Sequence, residues 1–204
     1  MQNMKKIGLI VAFVICHVFM GTVGAQTARE VLDKAAAAVT NKDGVTANFK
    51  MTTAEGSISG TIAVKGQKFH ATTAHGTMWF DGKTQWTYLK KNDEVNVNNP
   101  SEAELQTINP YNFINMYKNG FKYTMNTSAS AYEVHLTATD AKRKVQELFI
   151  TVDKKSYAPS QVRMLQGKKW ITFDITNLKN EKLADAIFRF NSKDFPTAEV
   201  IDLR

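Results

Sequence analysis

Apolar and polar residues alternate with a period of two along most of the chain from Val45 onward. Residues 45–51 show the alternation clearly, and similar short runs recur to residue 97 and again from residue 122 to residue 176. Turns containing glycine separate the runs, as at Glu55-Gly56, Lys65-Gly66 and Asp81-Gly82. Short strands joined by such turns predict an antiparallel meander that forms one large curved sheet. The same pattern predicts a last strand at residues 186–190.

Helical signals flank and interrupt the strands. Thr27 and Glu30 form a capping box, and apolar residues at helical spacing follow to Val39. Proline-initiated segments at residues 100–107 and 110–117 predict two short helices before the strands resume. We expect these helices to cover the concave face of the sheet and to leave an apolar cavity beneath them.

Several apolar side chains are predicted to line that cavity. Most of those on the strands share the alternation phase that we assign to the concave face, and the rest are expected close to that face. Two more should reach the cavity from the second middle helix. The predicted lining residues are Phe49, Ile62, Val64, Phe69, Met78, Phe80, Trp86 and Tyr88 on the strands, and Phe113 and Tyr117 on the helix.

The first 25 residues have the composition of a secretory signal peptide. Lys5 and Lys6 precede an apolar run over residues 7–20, and small residues at 23–25 suit cleavage after Ala25. An uncleaved N-terminal anchor is the alternative, although the run is short for a membrane span. No lipobox precedes Cys16, so cleavage would leave one exported domain, residues 26–204, without any thiol.

The charge of the chain is mildly basic. The net charge is +7, and it falls to +5 when Lys5 and Lys6 are removed with the signal. The densest basic runs are Lys90-Lys91, Lys142-Arg143-Lys144 and Lys168-Lys169. Each lies in a predicted turn, where solvation is the default interpretation and contact with an anionic lipid or protein is the alternative. No motif for binding nucleic acid is present.

Catalytic and metal-binding patterns are absent from the sequence. No carboxylate at ligand spacing accompanies His70, His75 or His135, so we predict no metal site and no cofactor. The run Asp81-Gly82-Lys83-Thr84 lacks the upstream glycines of a phosphate loop and indicates a hairpin turn. No nucleophile elbow occurs, and an enzyme is therefore not expected. The many Phe and Met residues fit either an ordinary β core or a ligand cavity.

Five segments in chain order resemble the outer-membrane lipoprotein carrier protein family, LolA. They are Gly60-Thr61-Ile62-Ala63-Val64-Lys65, Lys68-Phe69, the hairpin from Asp81-Gly82-Lys83 to Trp86-Thr87-Tyr88, Glu94-Val95-Asn96-Val97, and a closing segment with Phe188-Arg189-Phe190, Pro196 and Val200-Ile201-Asp202-Leu203. The resemblance implies an unclosed, or half, β-barrel with an N-terminal helix and a helical lid over an apolar cavity. It also implies a soluble, monomeric periplasmic carrier that takes acylated lipoproteins from an inner-membrane ABC transporter to an outer-membrane acceptor.

Two points qualify what the resemblance implies. A sensor or a general lipid-binding module on the same fold is the alternative function. The family commonly has an arginine after the strand lysine, and that arginine latches the lid over the empty cavity. Gly66 stands at this position here. We therefore expect the empty protein to sample open forms.

Overall fold

A computed structural model describes residues 26–101, 104–105 and 115–204 of the chain. The predicted signal peptide, most of the two predicted middle helices and Phe113 lie outside these residues. In the described part of the chain, helix α1 (Ala28–Val39) is followed by twelve strands. The strands are β1 (Val45–Thr53), β2 (Gly56–Lys65), β3 (Lys68–Thr73), β4 (Gly76–Phe80), β5 (Gln85–Leu89), β6 (Glu94–Asn98), β7 (Phe121–Thr127), β8 (Ala131–Ala138), β9 (Val145–Asp153), β10 (Pro159–Gln166), β11 (Lys169–Asn180) and β12 (Glu199–Asp202).

All twelve strands belong to one sheet, in the order β12-β6-β5-β4-β3-β2-β1-β11-β10-β9-β8-β7. Neighbours are antiparallel except for β12, which pairs with β6 in parallel. The two edges, β12 and β7, lie at opposite ends of this order, so the described sheet is unclosed. The protein is mainly β, as the alternation predicts.

The predicted strand at residues 186–190 is wrong. Asp185–Phe188 forms a 3-10 helix instead, and the last strand is β12. Phe188 is fully buried against Ala63 and Leu183, so this segment packs onto the face of the sheet rather than adding to its edge. Burial of an apolar side chain on an existing sheet outweighs the weak strand preference of a short run.

Helix α1 covers only one half of the concave face. Its cap forms as predicted, with Thr27 and Glu30 each accepting a backbone N–H from the other. Val31, Leu32 and two alanines are buried against apolar residues of β7 to β10, which include Leu136 and Leu148. The small alanines allow the helix to approach the sheet closely. The prediction that α1 covers the concave face therefore holds for this half alone.

The C-terminal segment packs on the opposite, convex face. Asp185 receives Lys65 Nζ at 3.0 Å and Lys68 Nζ at 2.8 Å, and Lys65 also donates to the Leu183 carbonyl oxygen. Beyond it, Phe190 and Phe195 lie edge-on to the Trp79 ring at 5.6 and 5.5 Å. The segment thus covers the outside of β2 to β5. No helix in the described part of the chain is long and apolar enough to cross a membrane.

Candidate functional site: an apolar cavity under the sheet

A cavity of about 460 Å³ lies on the concave face, beside the half that α1 covers. Its walls come from β1 to β5 and β9 to β11, together with Val39 at the end of α1. Strands as distant in the sheet as β5 and β9 border the same space, so the sheet curves around it. Among the described residues, no Asp, Glu, Lys or Arg lines the cavity. Such a volume is in the range of small-molecule sites, about 300–1,000 Å³.

The cavity opens toward the β3–β4 and β5–β6 turns. Leu89 lines it and is 38% exposed, and His75 also lines it and is exposed. Two threonines, Thr73 and Thr77, flank the β3–β4 turn beside His75. An apolar interior with polar residues at one end suits a ligand that has an apolar body and a polar end.

Strand alternation places the lining residues on β1 and β2. Phe49 faces the cavity directly opposite Gly60 on β2. A Cβ on Gly60 would lie 3.0 Å from two carbons of the Phe49 ring and only 2.1 Å from the Thr72 carbonyl oxygen. The absent side chain therefore makes room for the aromatic ring, and Phe49 remains only half-buried because the ring borders empty space.

A β-bulge extends the lining on β11. Phe173 and Ile175 alternate toward the cavity, but the next lining residue is Leu178 rather than Asn177. Asn177 takes the left-handed conformation with φ 54°, and the pairing of β1 with β11 shifts register beside it. An inserted residue resets the alternation, and asparagine tolerates this backbone conformation better than most residues.

Six of the ten predicted lining residues border the cavity. They are Phe49, Ile62, Val64, Phe69, Met78 and Tyr88. Phe80 does not line the space, because it is buried against Phe69, with the ring centroids 5.6 Å apart. Tyr88 borders the cavity, but its ring packs on Phe195, 4.6 Å away, and its hydroxyl donates to Asp93.

The predicted position of Trp86 is wrong. Phe80 pairs with Gln85 across the β4–β5 turn, and Trp79 pairs with Trp86. Directly paired residues point to the same face, so Trp86 shares the convex face with Trp79. The sequence interpretation assumed that Trp86 faces the same side of the sheet as Phe80. The register of the hairpin instead puts Gln85 and Thr87 on the concave side.

Tyr117 lies in the other half of the core instead of in the cavity. It is fully buried with the α1 residues, and its hydroxyl donates to the Asp33 carboxylate at 2.5 Å. Burial, and then the hydrogen bond to Asp33, raise the pKa of Tyr117 above its ordinary value. The Tyr123 hydroxyl donates to the Tyr117 carbonyl oxygen at 2.7 Å. Tyr117 thus connects helix α1 to the segment that immediately precedes β7.

Many lining residues were missed by the sequence interpretation. They are Val39, Val45, Ala47, Met51, Ile58, Ala71, Thr73, His75, Gly76, Thr77, Thr87, Leu89, Ile150, Pro159, Val162, Phe173, Ile175 and Leu178. Those on β1 and β2 carry the same alternation as Phe49 and Ile62, so the signal was available there. The lining residues of β9 to β11 look like ordinary core residues, because only the curvature of the sheet brings them to the cavity.

His70 and His135 each stack on an aromatic side chain. His70 stacks on Trp79 on the convex face, 5.6 Å between ring centroids, and burial lowers its pKa. His135 stacks on Phe149 and lies 3.1 Å from the Glu147 carboxylate. His70 and His75 therefore point to different surroundings despite their proximity in sequence. In the described part of the chain, no three potential metal ligands cluster.

The fold and the cavity define a mainly β binding protein with an apolar site under one face of an unclosed sheet. A family model described as outer membrane lipoprotein carrier protein LolA matches residues 20–168, and the chain belongs to this family. The match ends before β11 and the C-terminal segment. A search of curated proteins found no match.

Solved structures share the fold at low sequence identity. An uncharacterized conserved protein from Thermus thermophilus is 12% identical with a TM-score of 0.60, over 87% of this chain and 99% of that one. MucB is 12% identical with a TM-score of 0.51, over 81% of this chain and 63% of its own. At these identities the similarity establishes the fold alone.

Proposed function

We propose that the chain is a periplasmic carrier that binds the acyl chains of lipoproteins and delivers them from the inner to the outer membrane. The observation that carries this proposal is the cavity free of charged side chains, open at one end, on the concave face. Membership of the lipoprotein carrier family supports it, since that family comprises periplasmic carriers rather than enzymes.

The cavity is large enough for an apolar ligand, since its volume of about 460 Å³ lies in the range of small-molecule sites, about 300–1,000 Å³. Burial of a sixteen-carbon chain contributes about 12 kcal/mol, whereas three such chains would exceed the practical limit of about 20 kcal/mol. A cavity that holds one chain and leaves further chains partly exposed is compatible with release.

A lid over this cavity is part of the proposal. The predicted lid helix, residues 110–117, falls largely outside the described residues. Leu105, from the predicted helix before it, packs against the cluster of Val45, Phe69 and Phe80 beside the cavity. Gly66 lies in the β2–β3 turn with φ 59°, and a Cβ there would meet open space. Without the family arginine at this position, the closed lid lacks charge-assisted hydrogen bonds, so the empty protein should open readily.

The remaining parts of the proposal follow from the family. Export would release residues 26–204 as a soluble monomeric domain, which N-terminal sequencing would find to begin at Gln26. The partners would be acylated lipoproteins, an inner-membrane lipoprotein-releasing ABC transporter and an outer-membrane acceptor. A general lipid-binding module is the second candidate, because a cavity without charged side chains would suit a free lipid equally well.

Native mass spectrometry of protein purified from its own periplasm separates the two candidates. A carrier should retain acylated proteins, whose masses lie far above those of free lipids. If only free lipids are found, the general lipid-binding function replaces the carrier function. If an environment-sensitive fatty-acid probe fails to bind the emptied protein, both candidates are wrong.

A further inference from the structure

All three basic runs of the sequence lie in turns on the same side of the strand order. Lys90-Lys91 lies in the β5–β6 turn, Lys142-Arg143-Lys144 in the β8–β9 turn and Lys168-Lys169 at the β10–β11 turn. Because neighbouring strands are antiparallel, the β1–β2, β3–β4, β5–β6, β8–β9 and β10–β11 turns all lie at the same end. We call the three turns at residues 90–93, 139–144 and 166–169 the basic rim.

Two of these turns touch. The Gly167 N–H donates to the Lys144 carbonyl oxygen at 3.3 Å, which places Lys142, Lys144 and Lys168 side by side and exposed. Arg143 is held nearby, with Nη1 donating to the Asn119 carbonyl oxygen at 3.1 Å. None of Lys142, Lys144 and Lys168 forms a salt bridge within the described residues, although Lys144 lies near enough to the Glu104 carboxylate to help lower its pKa.

Acidic residues offset only part of this charge. Glu55 pairs with Lys169 at 2.5 Å, and Asp140 accepts the Lys142 backbone N–H. Asp93 and Glu94 lie beside Lys90-Lys91 and make that turn nearly neutral. The positive charge is therefore concentrated at the corner where the β8–β9 and β10–β11 turns meet.

Exposed apolar side chains accompany the charge. Trp170 is 38% exposed at the start of β11, with the Arg163 guanidinium 5.1 Å from its ring centroid on the outer face of the sheet. Leu89, at the mouth of the cavity, is also 38% exposed at this end. Measured along the curved sheet, the two strands are five positions apart, roughly 24 Å at about 4.8 Å per strand.

We propose that the basic rim docks on a membrane surface rich in anionic phospholipids. Lysines attract anionic headgroups, while a partly exposed tryptophan suits the boundary between headgroups and acyl chains. The cavity opens at the same end, through Leu89 and His75. Docking would set this opening against the bilayer from which an acyl chain enters or into which it leaves. The inference rests on the proposed acyl-chain binding, but it concerns residues outside the cavity lining.

Co-sedimentation with vesicles tests the docking. Vesicles of phosphatidylglycerol and phosphatidylcholine in equal parts should retain the protein, vesicles of phosphatidylcholine alone should not, and added salt should release it. The triple variant Lys142→Gln, Lys144→Gln, Lys168→Gln should bind the anionic vesicles roughly 100-fold more weakly, at about fivefold per lysine. Trp170→Phe should abolish the shift in tryptophan emission that vesicles cause in the wild type.

The matched control removes the same charge at the other end of the strands. Lys42, Lys83 and Lys155 are exposed in the turns before β1, between β4 and β5 and between β9 and β10. Their triple change to Gln should leave vesicle binding within twofold of the wild type. Both triple variants should bind the fatty-acid probe normally, so failure of docking is distinguishable from failure of acyl-chain binding. Equal losses in the two triple variants would overturn the proposal. Absence of vesicle binding in the wild type would also overturn it, and is the result expected if the rim meets an acidic protein instead.

Discussion

Phe49 offers the most direct test of the cavity as a ligand site. Its ring is half-buried in the empty protein, faces the cavity and fills the space that Gly60 leaves. Full burial of a Phe side chain is worth about 1.5–3 kcal/mol, and the part still exposed would be covered only when a ligand binds. Phe49→Ala should therefore weaken binding of a fatty-acid probe by about 1–2 kcal/mol, roughly 5- to 30-fold.

Fluorescence titration with the probe measures this effect, and thermal unfolding checks the fold. Asn48→Ala is the matched control, because Asn48 is exposed on the convex face one residue away. The loss of folding free energy in Phe49→Ala should be smaller than the roughly 3–5 kcal/mol of a fully packed Phe, since the ring borders a void. Equal affinity of the wild type and both variants would refute the assignment of this face as the ligand site.

Three further predictions follow from particular contacts. Trp86→Ala should leave probe affinity unchanged in the same titration, because Trp86 lies on the convex face; a fivefold loss would contradict that placement. Tyr117→Phe should lower the free energy of unfolding, measured by urea titration, by about 1–2 kcal/mol, since it removes a hydrogen bond to the Asp33 carboxylate; an unchanged value would mean that water replaces the bond without cost. The pKa of Asp185 is lowered from 3.8 to about 2, first by its hydrogen bonds to two lysines. A carboxyl group with a lowered pKa stabilises the folded state at pH values above its ordinary pKa, and this stabilisation is lost as pH falls from about 4 to 2. Asp185→Asn should therefore lower the unfolding temperature at neutral pH but not near pH 2. A difference in unfolding temperature that persists near pH 2 would show that the charge of Asp185 is not its cause.

Most of the residues that were correctly assigned to the concave face were assigned from the alternation along a single strand. Phe49, Ile62 and Val64 lie on the face that their own strands predict, because side chains on one strand must alternate. The error at Trp86 arose between strands, since the pairing of Phe80 with Gln85 determines the phase of the next strand. Pairing depends on turn geometry and on the packing of the whole face, neither of which is encoded in the alternation of a single strand.

The C-terminal segment illustrates the same limit. Phe188 and its neighbours have the composition of a strand, but the convex face already provides an apolar surface beside Ala63. The lysines of β2 and β3 then hold Asp185 over that face. Whether this segment adds a strand to the edge of the sheet or packs on its face depends on surfaces that exist only after the sheet has formed.

Local patterns in the sequence were sufficient to determine the capped first helix and the antiparallel meander, because each depends on residues close together in the chain. Tertiary structure alone decided that the apolar residues enclose a cavity and where that cavity lies, by curving β9 to β11 around toward β5. It also decided that Lys142, Lys144 and Lys168 share one rim, since antiparallel pairing brings turns far apart in sequence to the same end of the sheet.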